Sequence, residues 1–221
     1  MSCLYGVGVG TGNPELITLK ALRILQSVPV VAYPASETGN SFARSIVAEF
    51  LQGNQIEIPI VLPFKVEKSA QPFYDKASEQ LEKHLDNGRD VAVLCEGDPF
   101  FYGSFMYIYD RLSPKFDTEI IPGISSVMAS AAMIGIPLTY RNDVFMVLSG
   151  ILSGEVLKEK LKVADAAVII KLGKNFNKVK QVLEELGLVE RAKYIENATR
   201  ENQKILSINE VEAETVPYFS L

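Results

Sequence analysis

One acidic residue stands where α/β proteins place functional side chains. Asp98 lies in the segment Cys95-Glu96-Gly97-Asp98-Pro99, directly after the apolar run Val91–Leu94. A carboxylate at the carboxyl end of a strand points toward the crevice in which α/β proteins bind their ligands. Asp98 can therefore accept hydrogen bonds from a hydroxyl or ammonium group of a ligand. The alternative is that Asp98 caps a turn, a common use of Asp before Pro.

A second candidate loop lies near the start of the chain, where four glycines occupy alternate positions from 6 to 12. An apolar run precedes them and a helix-like stretch follows, an order typical of nucleotide and cofactor sites. The spacing fails the phosphate-loop motifs, because Thr11 and Asn13 stand where G-x-G-x-x-G needs glycine. Pro14 also removes a backbone N–H that a phosphate loop uses. We expect a close approach of backbone and ligand here, and a merely tight turn is the alternative.

A third loop, Ile120-Ile121-Pro122-Gly123-Ile124-Ser125-Ser126, precedes a helix of small residues. Either of the two serines can serve as the N-cap, so the start of this helix needs no functional explanation. The small residues nevertheless allow a ligand to approach the backbone and the helix N-terminus. Both interpretations stay open at this point.

The elements that must position these loops alternate along the chain. Runs rich in β-branched residues predict strands at 3–9, 28–33, 55–62, 91–95, 118–121, 143–149, 166–171, 192–196 and 204–208. Helix-period segments predict helices at 18–26, 42–51, 72–85, 127–134, 156–162 and 176–186. In the helix 72–85, Phe73, Ala77, Leu81 and Leu85 fall on one predicted apolar face. This alternation predicts an α/β protein with a largely parallel sheet.

The pattern changes near residue 120, which predicts an N-terminal lobe of residues 1–120 and a C-terminal lobe of residues 121–221. After residue 192 the chain looks like consecutive strands, including one at 215–221, so we expect a mixed sheet in the second lobe. Two such lobes would leave a ligand cleft between them. Since the last strand-like run is apolar to its end, the natural protein could continue beyond Leu221.

Composition excludes several classes of protein. Of the 221 residues 48% are apolar and 22% are charged, as in soluble globular proteins. The net charge of −5 and the lack of any basic block argue against nucleic acid as a partner. No apolar run reaches the roughly 18 residues of a membrane span, and we expect a cytoplasmic protein. Cys3 and Cys95 are predicted to be buried thiols, and one histidine with two cysteines does not suggest a metal site.

Taken together, the three loops resemble those of the tetrapyrrole (corrin/porphyrin) methylases. The matching segments are the first loop with its flanks (Val7–Ala21), Gly97-Asp98-Pro99 with Tyr102-Gly103, and Ile121–Ser126. The resemblance extends over essentially the whole chain. Within the family, Val31-Ala32-Tyr33-Pro34 and Pro217–Leu221 are most similar to precorrin-2 C-20 methyltransferases. The first loop of this sequence departs from the family pattern at Thr11 and Asn13, where members of the family commonly have Pro and Asp.

The resemblance implies a two-lobed fold, S-adenosylmethionine as the methyl donor, and donor contacts made mainly by backbone and apolar groups. The matching donor-binding positions are Glu96, Gly97, Asp98, Phe101, Ser126, Val127, Leu172, Ala198, Thr199, Ser220 and Leu221. A flat adenine needs apolar contacts with a few placed polar groups, which suits Phe101, Leu172 and Ala198. Ordinary core packing is the alternative for each of the three. The resemblance also implies a homodimer.

The implied reaction needs neither a metal nor a protein nucleophile, because orientation can supply much of the rate of methyl transfer. Candidates for the catalytic handling of a proton are Asp98, Tyr102, Tyr33 and Glu96. Gly10 and Gly12 would line the side of the cleft that takes the tetrapyrrole. The groups expected to hold its carboxylates are Arg44, Lys20, Arg141 or Lys171, and Tyr33 is a further predicted substrate-binding residue. His84 is expected to be a solvated helix residue.

Other functions compatible with the pattern stay open. Within the same fold they are another methylation step of corrin or siroheme synthesis, or a methyltransferase acting on RNA or a translation factor, which the acidic charge disfavours. A nicotinamide-dependent oxidoreductase belongs to a different class. The failed glycine spacing and the missing acidic residue after the second strand argue against it. A tetrapyrrole-binding protein without catalytic activity is the last alternative.

Overall fold

The computed structural model describes residues 2–61 and 71–221. Leu62, the last residue of the predicted strand 55–62, lies outside the described residues, as does Met1. The chain divides into two compact units, Met1–Ser125 and Ser126–Leu221. The division falls after the loop that follows the predicted boundary at residue 120, since this loop packs onto the first unit.

The first unit is a parallel sheet with helices on both faces, and the predicted α/β class is confirmed. Its strands are β1 (Cys3–Gly8), β2 (Val30–Ala35), β3 (Ile56–Val61), β4 (Val91–Cys95) and β5 (Asp117–Ile121). Its helices are α1 (Leu19–Ser27), α2 (Phe42–Ile46), α3 (Gln71–Asp86) and α4 (Phe105–Leu112). The strand order is β3-β2-β4-β1-β5, and every neighbouring pair is parallel.

Strand β4 shows why its sequence is apolar throughout. Val91, Val93 and Cys95 face the helices α3 and α4, whereas Ala92 and Leu94 face α1 and α2. A strand with helices on both faces has no polar side, so alternation of apolar and polar residues disappears. Because β1 and β4 are adjacent, the loops that follow them meet at the same edge of the sheet.

Helix α3 buries three of the four residues of the predicted face, with Tyr74 in place of Phe73. Tyr74, Ala77, Leu81 and Leu85 are buried, while Phe73 is 37% exposed. The predicted face assumed strict four-residue spacing from Phe73. The intervals from Tyr74 to Leu85 are three, four and four residues, which follow the 3.6-residue period more closely and bring Tyr74 inward. The predicted placement of Phe73 in the core is therefore wrong.

His84 lies near the end of α3 and is half-buried, with its Nδ1 atom enclosed and without a hydrogen-bond partner among the described residues. The expectation of a solvated residue is wrong in this respect, since the chain turns after the helix and the amides of Asn87 and Arg89 donate hydrogen bonds to the His84 carbonyl. Burial, together with the charge of Arg89, lowers the pKa of His84. Both effects disfavour the imidazolium in the folded state.

The lowered pKa predicts a stability that depends on pH. The unfolded state binds a proton at His84 near pH 6.5, and the folded state binds it only at lower pH. The stability that the neutral His84 contributes is therefore fully present above pH 6.5. It is lost as the pH falls from 6.5 through the lower pKa of the folded state. Urea unfolding at pH 7.5 and pH 5.5 should show a smaller loss of stability for His84→Gln than for wild type. Equal losses in the two proteins would contradict the prediction.

The second unit contains the strands β6 (Phe145–Ser149), β7 (Ala166–Ile170), β8 (Lys193–Glu196) and β9 (Lys204–Ser207). Its helices are α5 (Ser126–Ile134), α6 (Gly154–Leu161) and α7 (Phe176–Glu185). β6 and β7 pair in parallel and β8 and β9 pair antiparallel, so parallel and antiparallel pairing occur as predicted. They form two separate two-stranded sheets rather than one mixed sheet.

The predicted strand 215–221 is only partly correct. Residues 213–215 form a short 3-10 turn, and Pro217 lacks the N–H that a ladder requires. Only the last residues pair with β8: the amide and carbonyl of Leu221 exchange hydrogen bonds with Ile195 (3.0 and 3.2 Å). We call residues 217–221 the strap.

Both cysteines carry free thiols. Cys95 is buried, as predicted, whereas Cys3 is only partly buried. None of the helices formed by the described residues combines the length and apolar character that a membrane-spanning helix needs.

Candidate functional site

Two glycine-containing loops of the first unit are joined at the carboxyl edge of the sheet. Gly10, after β1, and Gly97, after β4, exchange two backbone hydrogen bonds, of 3.3 and 2.7 Å. Both residues have positive φ, 78° and 67°, a conformation that glycine adopts without strain. The structure thus brings the first and second candidate loops together, as the sheet order requires.

Asp98 ties the second loop to the third. Its Oδ1 accepts a hydrogen bond from the amide of Phe100 (2.9 Å), which is the turn-capping role. Its Oδ2 accepts a hydrogen bond from the amide of Gly123 (3.0 Å), in the loop after β5. The carboxylate therefore positions backbone, and this link across 25 residues is a function that the sequence alone did not indicate.

The same three loops pack backbone against backbone. A Cβ atom on Gly123 would lie 2.0 Å from the carbonyl oxygen of Gly97 and 2.8 Å from the Cα of Gly8. A Cβ atom on Gly8 would lie 2.5 Å from the amide nitrogen of Gly123. Glycine at these positions is therefore a packing requirement, because no side chain fits between the loops.

Three exposed aromatic residues, Phe100, Phe101 and Tyr102, follow Asp98 on the surface of this loop. Phe101 and Tyr102 are 37% and 47% exposed, and their rings meet edge to face with centroids 5.2 Å apart. Tyr102 has φ of 56°, which is uncommon for a bulky side chain. Backbone held in this region costs of order 1–3 kcal/mol and is concentrated at functional sites. Glu96, which precedes them, is half-buried.

The predicted substrate-binding residues Tyr33 and Arg44 meet a partner that the sequence analysis missed. The guanidinium of Arg44 forms a bidentate pair with Glu57 of β3 (2.9 and 3.0 Å), and Tyr33 interacts with both groups. The pKa of Glu57 is lowered chiefly by its hydrogen bond to Arg44. Burial raises the pKa of Tyr33, so its phenol stays protonated at neutral pH. The sequence offered one indication of this partner, because Glu57 is a charged residue within the predicted strand 55–62.

The other predicted carboxylate-binding cations differ in their surroundings. Lys20 forms an ion pair with Glu119 on the surface. Arg141 is exposed and has φ of 46°. Lys171 directly follows β7 and has φ of 60°. The binding of a carboxylate by these three residues remains a prediction. Gly12, the other predicted substrate-binding glycine, is half-buried in the first loop.

In the second unit, four predicted donor-binding residues come together at the end of β8. Ala198 and Thr199 follow this strand after Asn197, and Ser220 and Leu221 of the strap pair with it. Ala198 and Ser220 are buried, 7% and 2% exposed. The structure thus assembles residues that are more than 20 positions apart in the chain into one local site.

The remaining donor-binding predictions in this unit lie on other elements. Ser126 and Val127 begin α5, and the Val127 side chain is buried. Leu172 follows β7 and packs into the core of the unit with Phe176 and Tyr194. The side chain of Leu172 is thus part of the core, which was the alternative interpretation for this residue. Across residues 2–61 and 71–221, no group of three potential ligands is placed to hold a metal ion.

The sequence of this chain matches a known protein family and several characterised proteins. Residues 3–213 match the family model of the tetrapyrrole (corrin/porphyrin) methylases. The cobalamin biosynthesis protein CobIJ of Mycobacterium tuberculosis (strain ATCC 25618 / H37Rv) is 41% identical, over 99% of this chain and 45% of that protein. This chain therefore spans less than half of that relative.

Two further proteins match over nearly their whole length. The precorrin-2 C(20)-methyltransferase of Sinorhizobium sp is 37% identical, over 99% of this chain and 93% of that enzyme. Among solved structures, the uroporphyrin-III C-methyl transferase of Thermus thermophilus, complexed with S-adenyl homocysteine, superposes with a TM-score of 0.69. It is 25% identical and covers 99% of this chain and 95% of that structure.

Proposed function

The chain belongs to the tetrapyrrole (corrin/porphyrin) methylases, and from this premise we propose that it is an S-adenosylmethionine-dependent C-methyltransferase. The proposed substrate is precorrin-2, or its cobalt-containing counterpart, methylated at C-20 during cobalamin biosynthesis. The observation that carries the proposal is the nearly end-to-end match with the Sinorhizobium enzyme. This chain matches less than half of the length of the mycobacterial relative. The proposed activity is therefore that of the matching part and does not include activities of the rest of that relative.

The residues of the first unit suit a donor held mainly by backbone. Gly97 has no side chain and lies in a loop that two pairs of main-chain contacts immobilise. Asp98 holds this loop against Gly123, and Phe101 offers an exposed apolar ring. We assign donor binding in this unit to Glu96, Gly97, Asp98 and Phe101. A rigid backbone cradle reduces the ordering cost of binding.

The second unit supplies the other proposed donor contacts. Ala198 and Thr199, beside Ser220 and Leu221, combine small buried groups with backbone amides and carbonyls. Small apolar surfaces with a few fixed polar groups are what a flat adenine requires. We assign Ser126, Val127 and Leu172 to the same task through their backbone, because the side chains of Val127 and Leu172 are buried.

When bound, S-adenosylmethionine supplies an electrophilic methyl group on a sulfonium. The task of the protein is then to orient the ring carbon and to exclude water, which can provide most of the acceleration. Substitution at a ring carbon that carries hydrogen also releases one proton. Asp98 has both oxygens engaged by backbone amides, and the Tyr33 hydroxyl interacts with Glu57 and Arg44. Of the two remaining candidates, Glu96 and Tyr102, we assign the relay of this proton to the hydroxyl of the exposed Tyr102, which can both accept and donate.

This assignment predicts a separation of turnover from donor affinity. Tyr102→Phe should lower kcat by about 100-fold, the lower end of the range for loss of a general acid–base group. The Kd for S-adenosylhomocysteine should stay close to that of wild type, because the ring remains. Tyr107→Phe on helix α4, 40% exposed, is the matched control and should retain full turnover. A Tyr102→Phe enzyme with unchanged kcat would remove Tyr102 from the mechanism.

The substrate side of the site is proposed to include Gly10, Gly12, Tyr33 and Arg44. Arg44 is already paired with Glu57, so a substrate carboxylate would join or displace an existing ion pair. A bidentate guanidinium suits the acetate and propionate groups of a tetrapyrrole. We also propose that the enzyme works as a homodimer in the cytoplasm, and sedimentation equilibrium of the purified chain tests the dimer.

Calorimetry separates the proposed function from the oxidoreductase alternative. We expect S-adenosylhomocysteine to bind in the micromolar range or tighter and NAD to show no binding under the same conditions. Binding of NAD without binding of S-adenosylhomocysteine would contradict the methyltransferase assignment.

A further inference from the structure

The segment that follows β8 holds its backbone in an unusual conformation. Asn197 and Thr199 have positive φ, 51° and 69°. For Thr, whose side chain is branched at Cβ, this region is a true outlier. Such strain persists only where the surrounding contacts determine the conformation. The contacts around residues 197–200 should therefore show what keeps the segment in place.

Arg200 is at the centre of those contacts. Its amide donates a hydrogen bond to the carbonyl of Asn197 (3.0 Å), and its Nη1 donates one to the Oδ1 of the same residue (3.2 Å). Its guanidinium carbon lies 4.4 Å from the centroid of the Phe219 ring, a cation–π stack. The amide of Asn197 in turn donates to the carbonyl of Phe219 (2.9 Å). Arg200 therefore binds the strained segment through its backbone and side chain, and the strap through its guanidinium.

Buried polar contacts also hold the strap against β8. Ser220 is 2% exposed and donates a hydrogen bond to the carbonyl of Pro217 (2.7 Å). The hydroxyl of Tyr194, which also interacts with Ser220, donates to the buried carboxylate of Glu196 (2.6 Å). Lys204 pairs with the second oxygen of this carboxylate (3.0 Å). These polar groups, once buried, hold one register of the strap against β8, because slipping would leave them unpaired.

We propose that Arg200 is a positioning residue for the methyl donor: its stack on Phe219 and its hydrogen bonds to Asn197 hold residues 197–199 and the strap as one unit. The inference rests on the proposed function, since Ala198, Thr199, Ser220 and Leu221 are the donor contacts assigned to this unit. Arg200 acts through these residues. A segment that is held before the donor arrives loses less conformational freedom on binding.

The contacts need arginine rather than a positive charge alone. A guanidinium is planar, so it can stack on a ring while its edge donates to Asn197. A lysine ammonium cannot make both contacts in this geometry. Arg200→Lys therefore removes the arrangement and keeps the charge, and Arg191→Lys, at an exposed position of the same unit, is the matched control. Phe219→Tyr retains the stacking face, whereas Phe219→Leu removes it.

Two measurements test the proposal. In calorimetry, Arg200→Lys and Phe219→Leu should weaken binding of S-adenosylhomocysteine by about tenfold, as loss of a stacked, hydrogen-bonded guanidinium implies. Phe219→Tyr and Arg191→Lys should bind as wild type does. In turnover assays, the KM for S-adenosylmethionine should rise while kcat at saturating donor stays within about twofold. Hydrogen exchange without ligand should accelerate at residues 197–203 and 217–221 in Arg200→Lys.

The outcomes separate the inference from the function on which it rests. If wild type binds no S-adenosylhomocysteine, the proposed function fails, and hydrogen exchange alone still decides whether Arg200 couples the two segments. If wild type binds it and Arg200→Lys binds it equally well, Arg200 is not a positioning residue for the donor. Faster exchange and tenfold weaker binding in Arg200→Lys, with wild-type binding in Phe219→Tyr, would support the proposal.

Discussion

Gly123→Ala should cost the protein at least about 3 kcal/mol of stability and raise the Kd for S-adenosylhomocysteine by more than about 100-fold. The new Cβ would lie 2.0 Å from the carbonyl oxygen of Gly97 and 2.8 Å from the Cα of Gly8. Both neighbours are main chain, so no side chain can rotate away to make room. The loops after β4 and β5 would have to separate, and the hydrogen bond from Gly123 to Asp98 would break.

Gly154→Ala is the matched control for this substitution. A Cβ at Gly154, the first residue of α6, would lie 3.5 Å from the Val182 side chain, an ordinary contact. Because alanine favours helix over glycine, the control should be neutral or stabilised by up to about 1 kcal/mol. Urea unfolding and calorimetry measure both effects. A Gly123→Ala protein with the stability and affinity of wild type would show that the three loops do not pack as described.

Asp98→Asn should destabilise the protein by about 2–3 kcal/mol even without any ligand. The carboxylate accepts one amide hydrogen bond on each oxygen, from Phe100 and Gly123. Asparagine has a single acceptor oxygen, so its NH₂ group would face one of these N–H donors. The link between two loops would be replaced by a repulsive contact. We expect binding of S-adenosylhomocysteine to weaken at least tenfold as a consequence.

This prediction distinguishes two roles for the carboxylate. If Asp98 positions the loops, the unliganded protein loses stability together with affinity. If Asp98 instead served the ligand alone, affinity would fall and the unfolding free energy of the unliganded protein would not change. That second result would contradict our account. Asp110→Asn, at an exposed position of α4, is the control and should leave both quantities within about 0.5 kcal/mol of wild type.

The elements of the fold could be predicted because their signals are local. β-branched runs marked the nine strands to within two residues at each end for most of them, and β4 was predicted with the bounds observed. The alternation of strands and helices likewise predicted the parallel sheet of the first unit. The buried face of a helix is harder to predict from its sequence. In α3 the prediction placed Phe73 on this face, whereas the neighbouring residue Tyr74 is the one that is buried.

The contacts of the site were harder to predict, because they join residues far apart in the chain. The position of Asp98 after β4 predicts that it lies in a ligand-binding loop. That its Oδ2 binds Gly123 depends on β1 lying between β4 and β5 in the sheet. Likewise, the pairing of Arg44 with Glu57 depends on the register of β2 and β3. Neither the strand order nor the register can be read from spacing in one sequence.

The central claim is that this chain transfers one methyl group to C-20 of a reduced tetrapyrrole. The most direct measurement is incubation of the purified protein with precorrin-2 and S-adenosylmethionine labelled with ¹³C in its methyl group, with the cobalt-containing counterpart in a parallel sample. Mass spectrometry counts the methyl groups added, and ¹³C NMR of the product locates them. We expect one labelled methyl group at C-20 in at least one of the two samples. Methylation at another ring position, or no transfer to either substrate by protein that binds S-adenosylhomocysteine, would contradict the account.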